Sequence, residues 1–73
     1  MTSLKELEFA IDSLVEELIA VKVYFQRVRQ TKDKELKAIL SHNLDEEKEH
    51  AAMLINWLRS IDKEFDKKFT EHD

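Results

Sequence analysis

Leu4–Val28 reads LKELEFAIDSLVEELIAVKVYFQRV, and its apolar residues recur in alternating steps of three and four. This spacing places them along one side of an α-helix, as in the seam of a coiled coil. Ser3 and Glu6 form a capping box that predicts the start of the helix, which we expect to span about residues 4–30. The residues of this predicted seam are Leu4, Leu7, Ile11, Leu14, Leu18, Val21, Phe25 and Val28.

A second apolar stripe with the same spacing follows a single break at Thr31-Lys32-Asp33. Thr31 or Asp33 can cap a new helix by accepting a hydrogen bond from its free N–H groups. We expect this second helix to span about 34–67 and the remaining tail to fray. Its stripe comprises Leu40, Leu44, Glu47, Ala51, Leu54, Leu58, Ile61 and Phe65. The predicted fold is all-α, with residues 1–73 forming a single domain, a two-helix antiparallel hairpin.

The composition supports long helices and limits the possible partners. The chain has 73 residues without glycine, proline or cysteine, so disulfides, thiolate metal sites and glycine-rich phosphate loops are excluded. A core this small needs reinforcement, by oligomerisation or by a metal site. The net charge of -4, with both signs interspersed, argues against nucleic-acid binding and membrane binding. Residues 1–6 lead directly into an amphipathic pattern, which favours a cytoplasmic protein.

One member of the second stripe is a carboxylate. Glu47 lies between Leu44 and Ala51, where an inward-facing charge requires a compensating partner. His50 follows three residues later on the same side of the helix, so both side chains can point at one ion. Glu-x-x-His is a weak motif by itself, and Glu47 could instead pair with a lysine or reach solvent.

The first helix offers a further candidate ligand. Glu17 flanks the seam beside Leu14 and Leu18 and points towards the second helix, whereas Glu16 falls on the opposite, solvent side. A salt bridge at the flank of the seam is the alternative interpretation of Glu17. Tyr24 lies one heptad after Glu17. Met53 and Trp57 are interpreted as core or dimer contacts.

These three candidates make half of a known ligand set. Di-metal sites in four-helix bundles use one Glu from each of two helices and one Glu-x-x-His from each of the other two. Two hairpins related by a two-fold axis would supply Glu17, Glu47 and His50 twice. The ligand set therefore predicts a homodimer, and its oxygen and imidazole atoms suit iron or manganese better than structural zinc. The alternatives are a non-catalytic helical-hairpin oligomerisation module and a bundle that binds metal structurally.

Several longer stretches resemble one family, the encapsulated ferritins, which are the ferritin-like cargo of encapsulin nanocompartments. These stretches are Glu16-Glu17-Leu18, Tyr24, Gln26-Arg27-Val28, Ile39-Leu40, His42-Asn43, the run from Asp45 to Met53, and Trp57-Leu58-Arg59. The resemblance implies that Glu17, Glu47 and His50 are the ferroxidase ligands, with Tyr24 beside the centre. It also implies a ferritin-like four-helix bundle made by a dimer, and a decameric ring of dimers.

The implied function is oxidation of Fe(II) to Fe(III) at a di-iron centre with two iron ions per dimer, for iron storage and detoxification. Manganese, zinc or calcium would act as surrogates. The implied partner is an encapsulin shell protein, and the implied location is the cytoplasm, inside the nanocompartment. Two features depart from the family. Ile19 and Val23 stand where acidic and tryptophan side chains are common near the mouth of the site. Residues 1–73 also do not include the C-terminal extension that carries the family's short terminal helix and targeting peptide.

Overall fold

The computed structural model describes residues 2–73 and contains three helices within that range: α1 (Leu4–Gln30), α2 (Lys34–Ile61) and α3 (Lys63–His72). Helices α1 and α2 pack against each other as a hairpin, joined by the three non-helical residues 31–33. The prediction of an all-α fold built on a helical hairpin is confirmed. None of the described helices is long and apolar enough to cross a membrane.

The predicted capping residues explain where α1 and α2 begin. The Ser3 hydroxyl accepts a hydrogen bond from the Glu6 N–H at 3.1 Å, and the Asp33 carboxylate accepts one from the Leu36 N–H at 2.8 Å. Thr31 instead ends α1, and its hydroxyl accepts a hydrogen bond from the Asp33 N–H at 3.3 Å. Asp33, rather than Thr31, is therefore the cap of α2.

The predicted end of the second helix is wrong. Helix α2 stops at Ile61 rather than near residue 67, and most of the tail that was expected to fray belongs to α3. Asp62 leaves the helical conformation, and its side chain accepts a hydrogen bond from the Phe65 N–H at 3.0 Å, which starts the new helix. A short third helix thus precedes Asp73, where neither the apolar spacing nor the resemblance predicted one.

Arg59 holds α3 against the end of α2. Its Nε donates a hydrogen bond to the Asp66 carboxylate at 2.6 Å, and its guanidinium lies 4.8 Å from the centre of the Phe69 ring. Phe65 meets Phe69 edge to face at 5.1 Å within α3. The ion pair and the cation–π contact explain why this polar segment stays ordered and helical.

Little of the hairpin is buried. In residues 2–73 the buried apolar side chains are Ala10, Leu44, Ala51 and Leu58. Half of the predicted α1 seam is open, since alternate members such as Leu18, which is 52% exposed, face outward, while the other members are half-buried. Ala10 therefore marks the line along which α1 approaches α2, and the seam lies to one side of it. So small a core is consistent with a chain that needs a partner.

Two apolar grooves flank the line of contact between α1 and α2. The first, called the His50 groove below, has a volume of about 640 Å³, and its lining includes Phe9, Ala10, Ser13, His50, Met53 and Trp57. The second, called the far groove, has a volume of about 390 Å³, and its lining includes Leu7, Ile11, Leu14, Leu58 and Phe65. Exposed apolar side chains on both flanks are typical of surfaces that become covered on association.

Candidate metal centre

The structure brings Glu17, Glu47 and His50 together at the middle of the hairpin. Each offers one ligand atom, and the three atoms lie within 4.8 Å of one another. Glu17 belongs to α1 and the other two residues to α2, so the pairing of the helices creates the cluster. The three residues singled out by the spacing of the sequence are thus neighbours in space.

The contacts within the cluster leave capacity for a cation. Nδ1 of His50 lies 3.4 Å from Oε2 of Glu17 and 3.7 Å from Oε2 of Glu47. Oε2 of Glu17 is nevertheless buried and has no hydrogen-bond partner among the described residues. A buried carboxylate oxygen without a partner is unfavourable, and a bound cation would satisfy it. The donor set, two carboxylates and one imidazole, suits ferrous iron or manganese.

The centre is open on one side. The side chains of Glu17 and Glu47 are only 25% and 22% exposed, whereas that of His50 is 47% exposed and lines the His50 groove. Two protein carboxylates and one imidazole do not fill the coordination sphere of a transition metal. The cluster in a single chain therefore has the ligands on one side and an opening on the other.

Electrostatics between the two carboxylates affect their protonation. A protonated Glu47 carboxyl can donate a hydrogen bond to Glu17, and this raises the pKa of Glu47 above its ordinary value of 4.5. Partial burial and the negative charge of Glu17 act in the same direction, while His50 opposes them. Without a cation, the Glu47 carboxyl therefore holds its proton to a higher pH than an isolated glutamate does.

The other candidates from the sequence lie outside this cluster. Tyr24 is two helical turns beyond Glu17 on α1, and the guanidinium of Arg27 lies 5.5 Å from the centre of its ring. Glu16 is exposed and lies outside the cluster, as predicted from its position on the solvent side of α1. Met53 and Trp57 are not core residues of the single chain; both line the groove beside His50.

Comparisons with known proteins agree on one group. The sequence model of the EncFtn-like family matches residues 1–72. An encapsulated ferritin-like protein of Rhodospirillum rubrum is 57% identical over 63 residues, which cover 86% of this chain and 42% of that protein. A ferritin-like protein of Thermotoga maritima is 60% identical over 50 residues, which cover 68% of this chain and 44% of that protein.

A solved structure is also similar. A crystal structure of a protein from Nitrosomonas europaea superposes with a TM-score of 0.89 and is 60% identical. The match covers 92% of this chain and 74% of that one. The aligned part of each curated relative is less than half its length, so this chain spans only part of those proteins.

Proposed function

This chain belongs to the EncFtn-like family, and we propose that it is a ferroxidase that oxidises Fe(II) to Fe(III) at a di-iron centre formed between two copies of the chain. The observation that carries the proposal is the convergence of Glu17, Glu47 and His50, with their ligand atoms within 4.8 Å of one another. Fe(II) is the substrate of the reaction, and the side chains supply its binding site and its electrostatic environment.

Two copies are needed because one hairpin carries only half of the ligands. A four-helix di-metal site takes four carboxylates and two Glu-x-x-His histidines, and each chain supplies two carboxylates and one histidine. The opening of the cluster beside the half-exposed His50 is where the second set of ligands would face the first. The apolar residues of the His50 groove would pack against the second copy and hold the two half-sites together.

Each residue has a defined task in this proposal. The carboxylates of Glu17 and Glu47 hold the ferrous ions, and their negative charge favours the ferric product over the ferrous substrate. His50 binds through a ring nitrogen that already faces both carboxylates. Glu47 binds an ion in its deprotonated form, so ion binding opposes the interactions that raise the pKa of Glu47. Tyr24 is proposed as a hydrogen-bonding or redox group near the centre, and Tyr24→Phe tests it.

The electrons balance with a simple oxidant. Two ferrous ions release one electron each, and dioxygen takes up these two electrons and two protons to give hydrogen peroxide. Peroxide, in a second round, takes up two electrons and two protons to give two water molecules. The protein holds the ions next to each other, so that one oxidant molecule can take both electrons.

The wider setting is also a proposal. The name of the Rhodospirillum rubrum relative, an encapsulated ferritin-like protein, supports a partnership with an encapsulin shell in the cytoplasm. The chain would oxidise iron for storage and detoxification, and the shell would hold the product. A decameric ring of dimers is the assembly that the resemblance implies, and the two apolar grooves give each hairpin two surfaces for neighbouring copies.

The direct test is anaerobic loading with Fe(II), followed by air. We expect native mass spectrometry to count two iron ions per dimer, and ferric absorbance to rise faster than in buffer. Glu47→Gln and His50→Ala should reduce the rate to that of iron in buffer. A chain that assembles but binds less than one metal per chain, and leaves Fe(II) oxidising at the rate in buffer, would instead be an oligomerisation module. A chain that binds metal without turnover would be a structural metal bundle.

A further inference from the structure

The basic and acidic side chains of the hairpin are concentrated at opposite ends. Residues 22–37, which form the turn and the helix ends beside it, carry six basic and two acidic side chains. Residues 4–16, at the start of α1, carry one basic and four acidic side chains. The six basic side chains near the turn are exposed, and none of them forms an ion pair in the part of the chain that the structure describes. They are Lys22, Arg27, Arg29, Lys32, Lys34 and Lys37.

Glu6 and Arg27 lie on the same side of α1, near its two ends. Glu6 lines the His50 groove, and Tyr24 follows it by eighteen residues, which make about five full turns of an α-helix. Tyr24 therefore faces the same side as Glu6, and the guanidinium of Arg27 lies 5.5 Å from the centre of the Tyr24 ring. This side of α1 thus has a carboxylate near its start and a guanidinium near its end.

The two residues lie at matching distances from the candidate centre. Along α1, Glu6 precedes Glu17 by eleven residues and Arg27 follows it by ten. At about 1.5 Å per residue, Glu6 lies about 16 Å to one side of the centre and Arg27 about 15 Å to the other. A two-fold axis that passes through the centre and is perpendicular to α1 therefore brings Arg27 of one copy level with Glu6 of the second.

We propose that Arg27 of each copy forms an ion pair with Glu6 of the other, and that this contact selects the orientation in which the turn of one hairpin lies beside the start of α1 in its partner. The inference rests on the proposed function, because the two-fold axis comes from a centre shared by two copies. An axis along the hairpin would instead put the two basic turns together, where like charges repel. The charges thus favour one orientation and oppose the other.

The ion pair also provides a partner for a carboxylate that association would bury. A second copy packed on the His50 groove would remove water from Glu6, which forms no ion pair within residues 2–73. Arginine and a carboxylate can form two parallel hydrogen bonds. The contact of Arg27 with the Tyr24 ring restricts the arginine before it pairs, which lowers the entropy lost on association.

The experiment exchanges the two charges between separate chains. Arg27→Glu in one chain and Glu6→Arg in another each place like charges at both contacts of a homodimer, whereas the mixed dimer has opposite charges at both. We expect each variant alone to dimerise more weakly than the parent. In an equimolar mixture, native mass spectrometry should count a severalfold excess of mixed over like pairs. High salt should reduce the excess, because it screens the charges.

A chain that carries both substitutions tests the orientation. It has opposite charges at both contacts of its own homodimer and should dimerise like the parent. Mixed with the parent, however, it should form few mixed pairs, because each contact would join two like charges. If the two turns lay together, position 27 would meet position 27, and mixed pairs with the parent would be favoured instead.

Arg29→Glu and Glu8→Arg are the matched controls. They make the same charge changes two residues away, on the opposite side of α1. Arg29 also lies over an aromatic ring, with its guanidinium 5.6 Å from the centre of the Phe25 ring. Each control variant should dimerise like the parent, and a mixture of the two should contain mixed pairs at the random share of one half.

The outcomes separate this inference from the ferroxidase. Mixed pairs at the random share for Arg27→Glu with Glu6→Arg, or an equal excess in the control mixture, would overturn the inference and leave the basic turn to an acidic partner other than this chain. An excess of mixed pairs between the doubly substituted chain and the parent would overturn the orientation. A parent chain that oxidises iron no faster than buffer would refute the ferroxidase, while the pair counts would still decide the inference.

Discussion

Nδ1 of His50, on the second long helix, lies 3.4 Å from Oε2 of Glu17 on the first. The same carboxylate oxygen is buried and has no hydrogen-bond partner among residues 2–73. An imidazole and an unsatisfied carboxylate held at this distance by separate helices form a geometry that a shared cation would stabilise. Glu16, which neighbours Glu17 in sequence but lies outside the cluster, provides a matched control for a test of this geometry.

Glu17→Gln should weaken metal binding strongly, whereas Glu16→Gln should leave it unchanged. Loss of groups that merely orient a metal ligand reduces affinity about 10–100-fold, so loss of a ligand itself should reduce it by at least about 100-fold. Both variants remove one negative charge, and only Glu17 belongs to the cluster. Calorimetric titration with Mn(II) under identical conditions measures the difference. Equal affinity in the two variants would remove Glu17 from the site.

The metal-free protein should lose stability as pH rises through the raised pKa of Glu47. The folded protein holds this proton more tightly than the unfolded chain, in which glutamate titrates near 4.5. The contribution is therefore complete below pH 4.5 and is lost as pH rises through the folded-state pKa. We expect the melting temperature of the parent, relative to that of Glu47→Gln, to decrease over this range. A difference that stays constant or increases with pH would contradict the assignment.

Metal affinity should depend on pH in the opposite sense, because the ligands must lose their proton before they bind. A redox-inert surrogate such as Zn(II) should raise the melting temperature more at neutral pH than at pH 4.5. At a free metal concentration about 100 times the dissociation constant, the stabilisation is about 2.7 kcal/mol if the unfolded chain does not bind. A chelator should reverse the shift, and Glu17→Gln should not show it.

Ala51→Leu should destabilise the hairpin, whereas Ala52→Leu should not. Ala51 is buried between the long helices, and its neighbour Ala52 is exposed. Extra methylene groups in a packed interior cost about 1–3 kcal/mol, while the same change on the surface has a small effect. Urea unfolding at one fixed protein concentration measures both. If Ala52→Leu proves the more harmful change, position 52 is covered by a second copy of the chain.

Asp62→Ala should loosen α3 without unfolding the hairpin. The Asp62 carboxylate accepts a hydrogen bond from the Phe65 N–H, and loss of such a cap costs about 1 kcal/mol. We expect faster amide hydrogen exchange in residues 63–72 and unchanged exchange in the middle of α1. Asp62→Asn retains a capping oxygen and should behave like the parent. Equal acceleration in all three helices would indicate that α3 is part of the main cooperative unit.

Most of the fold follows from local chemistry in the sequence. The capping box at Ser3 and the cap at Asp33 fix two helix starts, because each satisfies N–H groups that the helix leaves free. The break at Asp62 was missed because Ile61 and Phe65 keep the apolar spacing across it. The contacts of Arg59 with Asp66 and Phe69 were not predicted, because they depend on the orientation of α3 relative to α2, which apolar spacing does not determine.

The candidate ligands were predictable for a different reason. Glu47 stood out as a charge in an apolar stripe, and helical spacing then connected it to His50. The prediction of Glu17 as a ligand required an assumption about which side of α1 packs against α2. The buried Ala10 marks that side, and Glu17, one heptad later, lies on it. The predicted seam lies to one side of this line. The exposure of the side chains in the His50 groove could not be predicted. Helical spacing identifies apolar side chains, but it does not show which of them the other helix covers.

Of the four residues buried in the hairpin, two are alanines, Ala10 and Ala51. In the proposed dimer, the stability of a newly made chain would depend on the concentration of other copies, because one hairpin encloses little apolar area. At a high rate of synthesis a hairpin would pair quickly, whereas at low concentration it would stay open to proteases. The proposed dimerisation would therefore make the level of the protein depend steeply on its rate of synthesis, with scarce chains degraded and plentiful ones retained.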